Sequence, residues 1–498
     1  MSNTVQSQVR GTPALVIGSV ALLLLLAALD QTIVSTALPT IVTDLGALEK
    51  LSWVVTSYIL ASTVSAPLYG KLGDLYGRRV MVYFSVGLFL AGSVACALAF
   101  SMDALIWARA FQGLGGGGLF VLALAVVGDV VPPRERGKVQ GVFAAIFSAS
   151  SVIGPLLGGW FVEYFSWHWI FLINIPLGIL AVIGFTIGFE PRGERVQHKI
   201  DWLGAALLSV ALASLTLFTS LAGQGISWTS VTGLGLVAAT LVSTAWFVWA
   251  EKHAAEPVLP LHLFRLNVFT MTSLISLITG AAMIGTITFL PVYLQIAMGA
   301  SPTTSGLLLV PMTIGIITTS TLAGRYMGRT GRYKILPIIG MSLLALGSLL
   351  LMQLEVDTSR LAFGTYLLVF GFGMGCIFPV TTTAVQNAVP REHLGTATAS
   401  GVMFRQIGGS VAVAVFGSLF ALRFAAGLPE GVNISATEIG PSALAALADD
   451  IRRIVADAVV HALDPVYLIV MVMVVIGLIF AFKLEEVELA NRKVPKGE

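Results

Sequence analysis

This sequence is short of charge. Only 11% of its 498 residues are Asp, Glu, Lys or Arg, against about 25% in a typical soluble protein. So few charges cannot clothe the three or four soluble domains that such a length would otherwise suggest. The two signs nearly cancel, leaving a net charge of +2, which argues against a nucleic-acid partner. Cysteine is almost missing. Cys96 and Cys376 both sit in apolar runs, which suits buried free thiols better than a disulfide or a metal site. A secreted disulfide scaffold is thereby excluded, and the apolar composition excludes a disordered chain. There is no P-loop, H-E-x-x-H, C-x-x-C or G-x-S-x-G pattern. The chain therefore reads as a non-enzyme with no cofactor and no metal. Gly113-Leu114-Gly115-Gly116-Gly117-Gly118 fits G-x-G-x-x-G formally, but no strand precedes it. Close helix packing through Gly113-x-x-x-Gly117 and Gly154-x-x-x-Gly158 is the better account.

What abounds is apolar surface. Hydrophobic residues make up 56% of the chain, Gly adds 52, and mean hydropathy is +0.90. Such a chain spends most of its length in lipid, where a spanning helix needs about 20 largely apolar residues. Fourteen segments qualify: 14–38, 50–70, 80–100, 104–128, 138–160, 167–189, 201–222, 230–250, 267–290, 304–326, 334–353, 361–384, 395–423 and 465–484. The first 13 residues are polar with one Arg, and the run after them shows no small-residue cleavage site. It reads as a retained first helix. With the N-terminus inside, 21 of the 28 Lys and Arg fall on the cytoplasmic side and five outside, while Arg109 and Arg405 lie within spans. One missed span would invert every later loop, so this asymmetry fixes even parity with both ends inside.

The chain also echoes itself. Gly70-Lys71 … Gly77-Arg78 between spans 2 and 3 returns as Gly324-Arg325 … Gly331-Arg332 between spans 10 and 11, an offset of 254 residues. Pro133-Arg134-Glu135 after span 4 returns as Pro390-Arg391-Glu392 after span 12, an offset of 257. Two six-span blocks that both start inside form a parallel repeat, as in transporters with two rocking halves. The expected organisation is an N-terminal six-helix bundle over 1–190, two inserted spans over 191–266, and a C-terminal six-helix bundle over 267–498. The last carries an outer loop, 424–464, and a cytoplasmic tail. In that loop Leu444, Leu447, Ile451, Ile454, Val455, Ala458 and Val459 recur at helical spacing after a Ser442 cap, which predicts an amphipathic helix on the outer surface.

Four motifs add a resemblance. Gly70-Lys71-Leu72-Gly73-Asp74-Leu75-Tyr76-Gly77-Arg78-Arg79 resembles the signature loop of the major facilitator superfamily; in the second copy Gly328 replaces the acid. Leu29-Asp30-Gln31-Thr32-Ile33-Val34-Ser35-Thr36-Ala37-Leu38-Pro39 resembles the first-helix motif of the fourteen-helix drug:proton antiporters. Arg109-Ala110-Phe111-Gln112-Gly113 is similar to the fourth-helix Arg motif. Gly154-Pro155-Leu156-Leu157-Gly158-Gly159 is similar to the exporters' antiporter motif, with Ser150 where another Gly is usual. His168 departs from the pattern, which has Arg there. The resemblance implies an all-α major facilitator fold and proton-coupled export of lipophilic, often cationic compounds. It implies a cytoplasmic gate at Gly70, Asp74, Gly77, Arg78 and Arg79.

The residues themselves point to Asp30, the one carboxylate well inside a span of the repeated blocks. An ionisable group deep in lipid is expensive and is a functional candidate for that reason. Asp30 lies about 12 Å from the outer end of span 1, and Arg109 about 8–9 Å from the outer end of span 4, by helical rise. Burial favours the neutral acid and a nearby Arg favours the carboxylate, so Asp30 can load and release a proton; a static Asp30–Arg109 pair that only locks helices is the competing account. Asp74 is expected to face the N-terminal end of span 13. Tyr58 and Gln112, beside the motifs, are candidate substrate contacts, with Arg405 and Gln406 in span 13; Arg405 faces no obvious acid, and binding a carbonyl or an anionic substrate group, pairing with Asp30 across the cavity and a structural hydrogen-bonding role all stay open. Trp53, Tyr293, Gln295, Met312, Gln386, Asn387 and Met403 are weaker lining candidates. Asp129, Glu163, Glu190 and Asp201 at span ends, and His168 between two Trp residues, read as interfacial. The leading expectation is a cell-membrane multidrug exporter whose partners are small molecules, protons and the bilayer, with no periplasmic adaptor indicated. A dedicated exporter of one metabolite, lipid or amino acid is the alternative, and a non-transporting scaffold or receptor is a third.

Overall fold

The computed structural model describes residues 13–47, 50–189, 200–223, 228–428 and 449–489. Among them every regular element is a helix, because in lipid an apolar segment must satisfy its own backbone donors and acceptors. The helices are α1 (Pro13–Leu45), α2 (Leu51–Tyr76), α3 (Arg78–Ala97), α4 (Met102–Val130), α5 (Pro133–Tyr164), α6 (Trp169–Leu172) and α7 (Asn174–Gly188). Then follow α8 (Trp202–Gly223), α9 (Val231–His253), α10 (Asn267–Ile296), α11 (Pro302–Leu308), α12 (Val310–Thr330), α13 (Ile335–Leu351), α14 (Arg360–Ala388), α15 (Leu394–Ala426) and α16 (Asp449–Lys483). The sixth span is broken into α6 and α7, and the tenth into α11 and α12. Thirteen spans are long and apolar enough to cross a bilayer, and the 17-residue α13 supplies the fourteenth. Four helices that start on the outer side open on a serine cap. Ser101, Ser230, Ser301 and Ser359 each accept from the backbone N–H three residues on, at 3.0–3.2 Å.

The packing repeats in order. α1 packs on α5 and α7, and α2 and α3 pack on α4; α10 packs on α15 and α16, and α12 and α13 pack on α14. The main cross-contacts between the sets are α2 against α15 and α5 against α12, with smaller ones of α5 on α14 and α4 on α15. α8 packs on α9 and also lies along α2 and α15, so the extra pair covers one of the two seams. Glu251, buried on α9, accepts from Val258 N (3.0 Å) and Leu259 N (3.1 Å), which ties the extra pair to the turn leading into α10.

The glycines of α4 act by absence of side chain. A Cβ on Gly113 would stand 2.5 Å from the Tyr58 carbonyl oxygen of α2, and one on Gly115 would press on the Phe89 backbone of α3. α4 thus lies between α2 and α3 at backbone distance, as small-residue packing in membranes requires.

Two expectations need correction. The signature segment is not a loop: α2 stays helical to Tyr76, and Gly77 alone, at φ +90°, makes the turn into α3. The outer amphipathic helix is not a separate surface element either. From Asp449 it is continuous with the last span, through Pro465. Its stripe of Val455, Ala458, Val459, Ala462 and Leu463 is buried in the same core as Phe420 and Phe424 of α15, so burial outweighs solvation there. Ser442, Leu444 and Leu447 lie outside the described residues.

Candidate functional site

Asp30 points from α1 into the interior of the α1–α7 set. It is 0% exposed and Arg109 is 1% exposed. Arg109 Nη1 donates to Asp30 Oδ2 at 2.7 Å. Asp30 Oδ1 accepts from Gln112 Nε2 (2.8 Å) and Asn174 Nδ2 (3.1 Å). Ser93 Oγ on α3 accepts from the same two amides, at 2.9 and 3.2 Å. Four helices therefore converge on one carboxylate, and the cluster is electrically neutral as a whole. A buried pair of this kind stands only because its remaining lone pairs and protons are also matched.

Arg109 has further partners. Its Nη1 reaches Gln112 Oε1 at 2.6 Å and its Nε reaches the Val54 carbonyl at 3.3 Å. Its guanidinium stacks over the Tyr58 ring, 4.2 Å from the centroid. Tyr58 and Gln112 are therefore shell residues of the acid; both are buried, and the Tyr58 hydroxyl has no partner. Gly154 and Gly158 of α5 pack on Thr32, Ile33 and Thr36 of α1, just past Asp30. Pro155 lies inside α5, and Gly159 has nothing within 4 Å of a built Cβ. Thr32 Oγ1 donates to the Ser150 carbonyl at 3.0 Å, which holds the two helices in register.

The cytoplasmic end carries a second cluster. Asp74, near the end of α2, reaches across to the start of α15. It accepts from Gly395 N (2.9 Å), Thr396 N (2.7 Å) and Thr396 Oγ1 (2.9 Å). An acid at a helix N-terminus is favoured by unpaired N–H groups and by the helix dipole. Arg78 binds Asp74 on one side and Asp129 Oδ2 on the other, the latter at 3.0 Å. Gly70 packs directly on Gly395 and Ala399, which brings the two helices close enough for this clasp. Asp129, expected at the interface, is thus part of the clasp. Arg79 is not: its Nε donates to Tyr83 Oη at 2.8 Å on α3.

The α5–α12 seam is built differently. Gly137 and Gly324 meet backbone to backbone. With Gly328 in place of an acid, no counterpart of Asp74 exists. Arg134 on α5 instead binds the Leu489 carbonyl (3.1 Å) and Glu488 (3.1 Å), in the segment after α16. That segment is held by Tyr333 Oη, which donates to the Glu485 carbonyl at 2.9 Å, and by Leu489 N, which donates to the Gly331 carbonyl at 2.9 Å. Gln386 Nε2 donates to the Leu124 carbonyl at 3.0 Å, and Arg136 Nη1 donates to the Gln386 carbonyl at 3.3 Å. Gln386 and Asn387 therefore sit at the cytoplasmic closure. Together these hydrogen bonds close the cytoplasmic end.

The remaining candidates are dispersed. Tyr293 Oη donates to the Glu355 carbonyl at 2.8 Å near the outer surface. His168 stacks on Trp167 at 3.8 Å, and Trp167 Nε1 donates to Asp44 at 2.8 Å, which pins the outer ends of α1 and α6. Glu163 is exposed, and Asp201 accepts from Gly204 N at 2.8 Å as a helix cap. Glu190 lies outside the described residues. Arg405 lies over the Phe378 ring, 4.7 Å from the centroid, and its Nε has no hydrogen-bond partner; nor has Gln406 Oε1. Ser93 and Asn174 were not singled out from sequence. The signal for Asn174 was there, an amide inside an apolar span.

Comparison with known proteins bears on this geometry. The family model described as Major Facilitator Superfamily matches residues 20–413. An uncharacterized MFS-type transporter of Mycobacterium tuberculosis (strain ATCC 25618 / H37Rv) is 41% identical over 471 residues, covering 94% of this chain and 69% of its own length. The multidrug transporter protein MdtP of Bacillus subtilis (strain 168) is 36% identical over 512 residues, covering 96% of this chain and 94% of its own. Among solved structures, the proton:xylose symporter XylE superposes with a TM-score of 0.63 at 16% identity, over 95% of this chain and 96% of that one. That likeness speaks to the fold alone.

Proposed function

The chain belongs to the major facilitator superfamily of transporters, and from that premise we propose that it is a proton-coupled multidrug exporter of lipophilic, often cationic compounds. It works by alternating access between two six-helix bundles in a bacterial plasma membrane. The observation that carries the reading is the neutral, sealed pairing of Asp30 with Arg109. Protonating Asp30 cancels its charge, and Arg109 then keeps the neutral partners it already holds: Gln112 Oε1, the Val54 carbonyl and the Tyr58 ring. On this reading the acid exchanges its proton without leaving the guanidinium bare of partners. A cation arriving beside the acid favours its deprotonation, and that competition exchanges proton for substrate. Exchanging one proton for one monovalent cation moves no net charge, so the pH gradient drives it, each pH unit being worth about 1.4 kcal/mol or tenfold accumulation. The Asp74 clasp holds the cytoplasmic end shut while the acid is reloaded from outside. Similarity to a named multidrug transporter supports the substrate breadth.

The test is uphill transport in liposomes. With an imposed pH gradient, a lipophilic cation dye should be moved by the parent and by Asp201→Asn but not by Asp30→Asn. Retained uphill transport in Asp30→Asn would refute the coupling role. Indifference to the dye in a folded protein would favour a dedicated exporter, and absence of counterflow for every solute tried would favour a scaffold.

A further inference from the structure

Arg405 is a charge without a counter-charge. It stands about 16 Å along α15 from the cytoplasmic start of that helix, by helical rise. Helices α10, α12, α13, α14 and α15 contain no Asp or Glu at all. The one carboxylate at depth in the other set, Asp30, is fully engaged by Arg109, Gln112 and Asn174. Phe378 offers Arg405 a ring face, but its Nε is buried with no acceptor. Burying a cation in this way is costly unless something of opposite charge arrives.

The surroundings are built for such an arrival. Arg405 lines a narrow cleft with Ser273 and Ser276 of α10, Thr381 and Thr382 of α14 and Thr398 of α15; closed as here it has room for about one water, so a carboxylate enters as the helices part. Ser273 and Ser276 are one turn apart on one face of α10, both are buried, and neither hydroxyl has a hydrogen-bond partner among the described residues. The Thr381 and Thr382 hydroxyls make only long bonds, at 3.3 and 3.4 Å to the Phe378 carbonyl. A guanidinium fork with several uncommitted O–H donors is the chemistry that holds a carboxylate.

We propose that Arg405 with Ser273, Ser276, Thr381 and Thr382 forms an anion subsite that takes the carboxylate of an amphiphilic substrate. This rests on the exporter reading only in placing the cleft on the transport path. The chain is then a carrier of amphiphilic acids and zwitterions as well as cations, the acid end lying in the α10–α15 set. Thr398 links the subsite to the closure, because its hydroxyl also accepts from Gln386 Nε2 (3.1 Å), the group that reaches across to the Leu124 carbonyl of α4.

Equilibrium binding to the full chain in nanodiscs, with no pH gradient, tests this independently of proton coupling. The probes are dansylglycine and its uncharged counterpart dansylglycinamide, followed by dansyl fluorescence. The acid should bind the parent at least about tenfold more tightly than the amide, as expected for charge-assisted hydrogen bonds. Arg405→Gln should abolish that preference, Arg405→Lys should keep part of it, and the double change Ser273→Ala with Ser276→Ala should reduce it. An unchanged thermal midpoint and a monodisperse elution profile certify folding of each variant. Equal affinity for the two probes, failure of dansylglycine to bind, or a preference that survives Arg405→Gln would overturn the assignment. So would a preference that disappears in chloride and returns in gluconate with chloride alone as the tight ligand, since the site would then belong to an inorganic anion.

Discussion

Replacing Asp74 by Asn should unlatch the α2–α15 seam while leaving its shape almost unchanged. The carboxylate accepts two backbone N–H groups across the seam, from Gly395 and Thr396, and both ends of the clasp are buried, with Asp74 2% and Arg78 6% exposed. Hydrogen bonds to a charged group contribute about 1.5–3 kcal/mol each. The amide keeps one acceptor but turns an NH2 toward N–H donors and removes the charge that the helix N-terminus favours. Arg78 stays paired to Asp129, and its lost ion pair with Asp74 lies within one helix set, so it weighs alike on the closed and open forms. With one backbone bond lost at the lower figure and the other reduced from charged to neutral, the cytoplasm-closed form loses about 2 kcal/mol, a shift of about 30-fold in its ratio to the open form. Spin labels at exposed Tyr76 on α2 and exposed Glu392 before α15 would report it by pulsed EPR distances; the native Cys96 and Cys376 are buried. The parent should show a short, narrow separation, and Asp74→Asn a second, longer one of much greater weight. An unchanged distribution in a folded variant would refute the argument that this acid holds the seam.

Two further outcomes follow from the same geometry. Gln112→Leu leaves both Asp30 Oδ1 and Arg109 Nη1 short of a partner in a sealed site and should destabilise the protein by about 2–3 kcal/mol, seen as a lower thermal midpoint in detergent; an unaltered midpoint would show that the amide is dispensable. Gly113→Val must push α2 away from α4 against the Tyr58 carbonyl and should cost about 1–3 kcal/mol or more, with a reduced yield of monodisperse protein; normal yield and midpoint would contradict the close-contact account.

Much of this was open to reading from composition and motif. Long apolar runs located the spans because lipid leaves a helix little alternative, and Arg and Lys placement oriented them. The partnership of Asp30 and Arg109 was visible because two opposite charges at similar depth stand out in an apolar chain. Asn174 was harder to see. It is neutral, and 144 residues separate it from the acid it binds. Asp129 was read as interfacial because its place at a span end says nothing of what lies beside it; only the fold brings Arg78 within 3.0 Å. The start of α16 is not legible in the sequence, because a mixed stripe of Val, Ala and Asp is equally consistent with a surface helix and with a helix buried on one face. Contact with α15 decides between them.

The stretch after α16 has a bearing on how the molecule is made. Emerging chains insert from the N-terminus onward, so the first thirteen spans can already be in the bilayer while residues 484–489 are unsynthesised. At that stage Asp74 can already find Gly395 and Thr396, but Arg134 has neither the Leu489 carbonyl nor Glu488 to hold. Maturation is therefore lopsided. One side of the inner face can complete its clasp during translation, while the other, already in contact through Gly137 and Gly324, gains its Arg134 bonds only when the segment beyond the last membrane helix leaves the ribosome.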